Sequence, residues 1–209
     1  MKFAFFSHGI SDKAAEKLVE LVGKKSSEIK VVYITTAVNT YPPDPDWFIE
    51  SKEQIKNIGV KLESFDLEEG FSKNVNLEKY FSDVDVVFFS GGNTFYLLYW
   101  IYKTGFDKIL LKLMRRKNFV YAGESAGVVC QVEDLTAVGW LDKPEEAPEL
   151  PKKGLMLTDL VVVPHWGNPK YHEKLVKMKD YYEDKDLKVE VIKDYEALFI
   201  DGDRVEKIT

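Results

Sequence analysis

Five residues near the middle of the chain, Gly123-Glu124-Ser125-Ala126-Gly127, carry the strongest chemical signal. They follow the apolar run Phe119-Val120-Tyr121-Ala122 and precede Val128-Val129-Cys130, so the pattern reads as strand, sharp turn, helix. A serine on such a turn sits in strained backbone geometry, and glycines flank it because side chains there would collide with neighbouring backbone. A Gly-x-Ser-x-Gly string arises by chance in roughly one chain in fifteen of this length. The strand before it and the helix after it are what lift it above such accidents. The chemistry this implies is attack by the Ser125 hydroxyl on an acyl carbon, with the Ala126 amide as a donor to the developing oxyanion.

A serine hydroxyl needs a base, and the chain has three histidines. His8 lies in a Ser-His-Gly loop after the first apolar run, and His172 falls in a charged helical stretch where solvent would reach it. His165 follows Val161-Val162-Val163-Pro164, so it emerges at the C-terminal end of a strand, where open α/β sheets place their sites. It is the expected base. The acid that would orient its imidazole is left open among Asp194 and Glu196, just before another apolar run, and Asp142, in a long loop. A last piece is Ser90-Gly91-Gly92-Asn93-Thr94-Phe95, again at the end of a strand-like run and before a helical one. Paired glycines let backbone approach a ligand closely, so Gly92 is expected as the second oxyanion donor, with Asn93 and Thr94 beside the substrate.

These residues need a scaffold, and the hydropathy pattern supplies one. Short apolar runs at 3–6, 31–35, 61–65, 84–89, 119–121, 160–163, 188–192 and 197–200 predict strands, and their Val, Ile and Phe content suits burial on both faces. Between them, residues 12–24, 46–57, 94–103 and 169–182 show helical spacing of apolar positions, several starting at Asp, Ser or Thr. The alternation predicts an α/β fold with a mostly parallel sheet covered by crossover helices. Asp44-Pro45-Asp46 and residues 142–153 read as loops. No repeat or linker divides the chain, and residues 1–209 are expected to form one domain.

Bulk composition narrows the function. With 45% hydrophobic and 31% charged residues, the chain has the balance of a folded globular protein. A net charge of −6 and short, scattered basic runs argue against nucleic acid as a partner. No stretch approaches the roughly 20 apolar residues of a membrane span, and the lone Cys130 offers no internal disulfide, so a cytoplasmic location is expected. No His, Cys or carboxylate cluster has zinc-ligand spacing, and the scheme calls for neither metal nor cofactor. A homodimer stays open.

Taken together, four pieces resemble the peptidase E (aspartyl dipeptidase) and cyanophycinase family: Gly91-Gly92-Asn93-Thr94-Phe95 with Leu97-Leu98, Gly123-Glu124-Ser125-Ala126-Gly127, Pro164-His165, and the Glu-Ala-Leu-Phe-Ile-Asp-Gly segment ending at Gly202. The resemblance spans nearly the whole chain and implies a three-layer, flavodoxin-like sandwich similar to class I glutamine amidotransferases, with serine in place of cysteine at the elbow. It implies the chain order Ser, His, acid, which puts Asp194 at the position of the family's triad glutamate, with Glu196 as a rival. It also sets Asp142, followed two residues later by Pro144, where a family aspartate contacts the triad or the substrate amine.

The activity so implied is hydrolysis of small peptides, dipeptides with an N-terminal aspartate foremost. A fixed guanidinium is the natural partner for that aspartate, yet no arginine follows His165 until Arg204, leaving Lys170 and Lys174 as the available cations. The alternatives are an esterase or amidase acting on a small non-peptide acyl group, and a catalytically silent binding protein on the same scaffold.

Overall fold

The computed structural model describes residues 1–209. Its centre is a seven-stranded sheet in the order β3-β2-β4-β5-β1-β8-β9. The strands are β1 (Lys2–Phe6), β2 (Lys30–Ile34), β3 (Lys61–Phe65), β4 (Val86–Phe89), β5 (Val120–Glu124), β8 (Ala197–Asp201) and β9 (Arg204–Ile208). The first five run parallel; β8 and β9 close the edge beyond β1 as antiparallel strands. Two further strands, β6 (Leu160–Val163) and β7 (Lys188–Val191), pair in parallel with each other as a separate small sheet.

Period-two alternation divides the core into two layers. Phe3, Phe5, Val32, Ile34, Val87, Phe89, Tyr121, Leu198 and Ile200 face a large apolar cluster that also holds β6. Ala4, Phe6, Val31, Tyr33, Val86, Phe88, Val120, Ala122, Ala197 and Phe199 face a smaller one. The smaller side is covered by α1 (Asp12–Val22) and α2 (Asp46–Asn57), through Ala14, Leu18, Leu21, Val22, Phe48 and Ile55. The larger side is covered by α3 (Leu67–Ser72), α4 (Leu77–Tyr80), α5 (Thr94–Thr104), α6 (Phe106–Leu113), α7 (Ala126–Val129) and α8 (His172–Glu183). Strands buried on both faces need a near-continuous apolar sequence, which is what Val86–Phe89 supplies.

Local sequence sets the helix boundaries. The Ser11 side chain accepts from the Ala14 amide to start α1, and Gly23 ends it in the left-handed region. Asn93 caps α5 by accepting from the Phe95 and Tyr96 amides, and Gly105 ends it in the same left-handed way.

The structure corrects several expected boundaries. The elbow strand spans Val120–Glu124 rather than 119–121, because pairing with β1 carries the ladder through Gly123 and Glu124 to the residue before Ser125. The helix expected over 169–182 begins at His172, after turns through Asn168. Helix α6 and strand β9 add to the expected elements. The strands at 160–163 and 188–191 lie outside the central sheet, with β6 packed in the larger apolar layer.

Candidate active site

The C-terminal ends of β4, β5 and β1 lie side by side, and the loops leaving them meet the loop after β6 and the turn before β8. A cleft of ≈ 390 Å³ opens there, within the range of small-molecule sites.

Ser125 stands at its base. Its backbone holds φ 47° and ψ −104°, a region that costs a non-glycine residue on the order of 1–3 kcal/mol and persists only when its surroundings enforce it. The enforcement comes from both glycines of the motif. A Cβ on Gly123 would lie 2.3 Å from the Gly127 carbonyl oxygen, and one on Gly127 would lie 2.6 Å from Phe89. The Ser125 amide donates to the Phe6 carbonyl at 3.2 Å, tying the elbow to β1.

His165 follows β6 and Pro164 with φ 60°, and its ring is brought to Ser125 across the cleft. Nε2 lies 2.9 Å from the Ser125 hydroxyl and Nδ1 lies 2.8 Å from Asp194 Oδ1. The same carboxylate accepts from the Ser7 hydroxyl at 2.9 Å and from the Asn168 amide at 3.2 Å. Ser7 Oγ in turn accepts from the His165 backbone amide at 2.6 Å, so one buried hydroxyl fixes both the imidazole's backbone and its acid partner. Burial alone would raise the Asp194 carboxyl; the hydrogen bonds from His165 and Ser7, the charge of His165 and the Asn168 bond outweigh it and hold the group at about 2. An ionised acid in this place favours the imidazole tautomer with its proton on Nδ1, leaving Nε2 free to accept from serine.

Of the acids left open by the sequence, Asp194 is the one brought to His165. Glu196 turns away and accepts from the Lys193 backbone amide at 2.8 Å, closing its own tight turn. Asp142 also lines the cleft but makes no bond to His165; its Oδ2 accepts from the Thr94 amide at 2.9 Å. Burial pushes its carboxyl up, against the lowering pull of the Thr94 bond and of His165.

Gly92 and Ala126 both border the cleft. The Ala126 amide, first in α7, has no acceptor within the helix. Gly92 holds φ 134°, and a Cβ there would lie 2.2 Å from the Ala37 carbonyl oxygen, so only glycine fits without movement. Thr94 borders the cleft beside them. Asn93 does not: its side chain oxygen caps α5, and its amide donates to the Lys143 carbonyl and Glu146 Oε2, both at 2.9 Å, holding the 142–146 loop in place. Lys170 is exposed at the rim with its ammonium 5.1 Å from the Tyr171 ring. Lys174 lies on the exposed face of α8.

Sequence reasoning passed over Ser7, Asn168 and the roles of His8 and Glu124. Glu124 Oε1 accepts from the Ser51 hydroxyl at 2.9 Å, His8 Nδ1 at 3.2 Å and the Gly9 amide at 3.3 Å. The one available signal was positional: Ser7 and His8 directly follow the strand that pairs with the elbow strand, so they emerge beside Ser125.

A mostly parallel α/β sheet with a serine on a glycine-flanked elbow, facing an imidazole and a carboxylate, defines a hydrolase-type site. The comparisons name the family: residues 5–208 match the model of peptidase family S51, and the chain belongs to it. It is therefore a peptidase by family. An uncharacterised peptidase of Listeria monocytogenes is 28% identical over 177 residues, covering 84% of this chain and 83% of that protein. Peptidase E of Streptomyces coelicolor is 30% identical over 129 residues, 58% of this chain and 51% of that one. Among solved structures, a crystal structure of a protein from Listeria monocytogenes EGD-e superposes with a TM-score of 0.81 at 24% identity, covering 99% of this chain and 97% of that one, which establishes the shared fold. No helix is long and apolar enough to cross a membrane.

Proposed function

We propose that this peptidase is of the serine type and hydrolyses small peptides, dipeptides with N-terminal aspartate foremost, through an acyl-enzyme on Ser125. The observation that carries the reading is the unbroken line from the Ser125 hydroxyl to His165 Nε2 at 2.9 Å and from His165 Nδ1 to Asp194 at 2.8 Å.

In this mechanism His165 takes the hydroxyl proton as Ser125 Oγ attacks the peptide carbonyl, and the amides of Gly92 and Ala126 receive the oxyanion. Collapse breaks the C–N bond, and the proton held on His165 passes to the leaving amine. Water then attacks the acyl-enzyme with His165 again the base, and Ser125 leaves with its proton restored. Asp142, with Oδ1 free of any protein donor, suits the substrate's α-ammonium, and Lys170 is the rim cation for an aspartyl side chain.

A second specificity has its own support. Tyr41, Trp47 and Tyr171 all line the cleft, and aromatic lining suits an uncharged N-terminal side chain better than a carboxylate. Amino-acid release from Asp-Leu, Glu-Leu, Ala-Leu and Phe-Leu, beside p-nitrophenyl esters, separates the choices. Preference for Asp-Leu supports the aspartyl reading, preference for Phe-Leu moves the assignment to the aromatic lining, and turnover of esters without any peptide contradicts peptide hydrolysis.

A further inference from the structure

His8 enters the cleft from the opposite side of Ser125 to Asp142 and has no part in the triad. Sheet order places the strand ends as β4, β5, β1, so Gly92 and Thr94 lie on one flank of Ser125 and Ser7 and His8 on the other. The register Phe6↔Glu124 and the Ser125 amide bond to the Phe6 carbonyl fix that adjacency. In the proposed reaction the carbonyl oxygen points to the Gly92 flank. The leaving nitrogen faces His165, whose acid partner is braced by Ser7, so the leaving residue extends toward His8.

The loop bearing His8 is built rather than loose. Its Nδ1 is held by Glu124 Oε1 at 3.2 Å, and the next amide, that of Gly9, donates to the same oxygen. Glu124 is itself buried and fixed by Ser51. Gly9 takes φ 80°, where a Cβ would lie 2.5 Å from the Tyr195 ring, so the turn admits glycine alone without movement. Held this way by one nitrogen, the imidazole keeps Nε2 without a partner in the chain, and 27% of the side chain is exposed. The groups facing it are Glu124, Asp194 and Glu50, with Tyr195 beside the ring. The Glu124 hydrogen bond raises its proton affinity, burial opposes that, and the charges of Glu124, Asp194 and Glu50 add to the rise. A protonated imidazole offers both nitrogens as donors, one to Glu124 and one to the cleft.

We propose that His8 Nε2 binds the α-carboxylate of the substrate's leaving residue, which makes the cleft selective for dipeptides with a free C-terminus; the assignment rests on Ser125 as the nucleophile. A group that reads the terminal carboxylate one residue beyond the scissile bond penalises both amidated dipeptides and longer chains.

The test compares kcat/KM for Asp-Leu and Ala-Leu with that for their C-terminal amides, in wild type, His8→Gln and His8→Lys, with Ser125→Ala alongside. A charge-assisted hydrogen bond corresponds to about a tenfold preference for the free acids. The preference is expected to fall to within about twofold in His8→Gln and to recover in part in His8→Lys, which also shows that the loop still folds. Wild type without a preference, or His8→Gln that keeps it while Ser125 remains essential, overturns the His8 assignment alone. Ser125→Ala with wild-type turnover removes the nucleophile and overturns this placement of the leaving group with it.

Discussion

His165 meets Asp194 at 2.8 Å through the nitrogen that does not face Ser125, and that carboxylate is shared with Ser7 and Asn168. The acid is thus fixed from three directions, and the imidazole's tautomer follows from it. Replacing Asp194 by Asn keeps the size while presenting a group that can stabilise the wrong tautomer. The expected outcome is a loss of kcat of about 10³–10⁴-fold with little change in KM, measured on the best dipeptide.

The same residue carries a stability signature. Its folded-state value of about 2 lies below the ordinary 3.8, so ionised Asp194 contributes stability that is complete above the ordinary value and is lost as pH falls through the folded one. Wild type is expected to exceed Asp194→Asn in urea stability at about pH 5, with the gap shrinking as pH falls from about 4 to about 2. A gap that widens on acidification contradicts the sign.

Gly92 tests the oxyanion flank. A Cβ introduced at this position would be forced to 2.2 Å from the Ala37 carbonyl oxygen on a backbone with φ 134°. Gly92→Ala is expected to lower stability by about 1–3 kcal/mol and to reduce kcat more than it raises KM, since the displaced amide matters most in the transition state. Thermal unfolding and steady-state kinetics on one preparation read both effects.

Asp142 tests the amine flank. Asp142→Asn is expected to raise KM about tenfold for peptides with a free amino terminus and to leave N-acetylated peptides comparatively unaffected. Because burial raises this carboxyl above its ordinary value, the KM of wild type is expected to climb on acidification at a pH higher than an exposed aspartate would dictate. Equal effects on free and acetylated peptides would contradict the assignment.

Cys130 separates serine from cysteine chemistry. It is fully buried five residues after Ser125, and burial pushes its thiol up to about 12. Iodoacetamide is therefore expected to leave both the native thiol and the activity intact, read by intact mass and turnover.

Much of the scaffold was legible because strands buried on both faces write themselves as apolar runs such as Val86–Phe89, whereas the residues that cap α1 and α5, Ser11 and Asn93, lie one position before the Asp12 and Thr94 starts expected from sequence. Helix α6 had its signal in Phe106, Ile109, Leu110 and Leu113, spaced for one helix face. The β8–β9 hairpin had its turn signal in Asp201-Gly202-Asp203. What sequence did not carry was partnership. Val161-Val162-Val163 reads as a buried strand whether it joins the central sheet or pairs with β7 alone. Likewise Ser125 and His165 were readable singly by their context. The choice of Asp194 over Glu196 depends on a tight turn in which Glu196 bonds the Lys193 amide, and the bracing by Ser7 and Asn168 depends on contacts distant in sequence.

The most direct measurement is dipeptide hydrolysis by Ser125→Ala beside wild type, with circular dichroism and thermal unfolding run on the same samples. The expected result is a folded variant whose turnover falls at least ~10³-fold. A folded Ser125→Ala protein that hydrolyses the peptide at close to the wild-type rate would contradict the account.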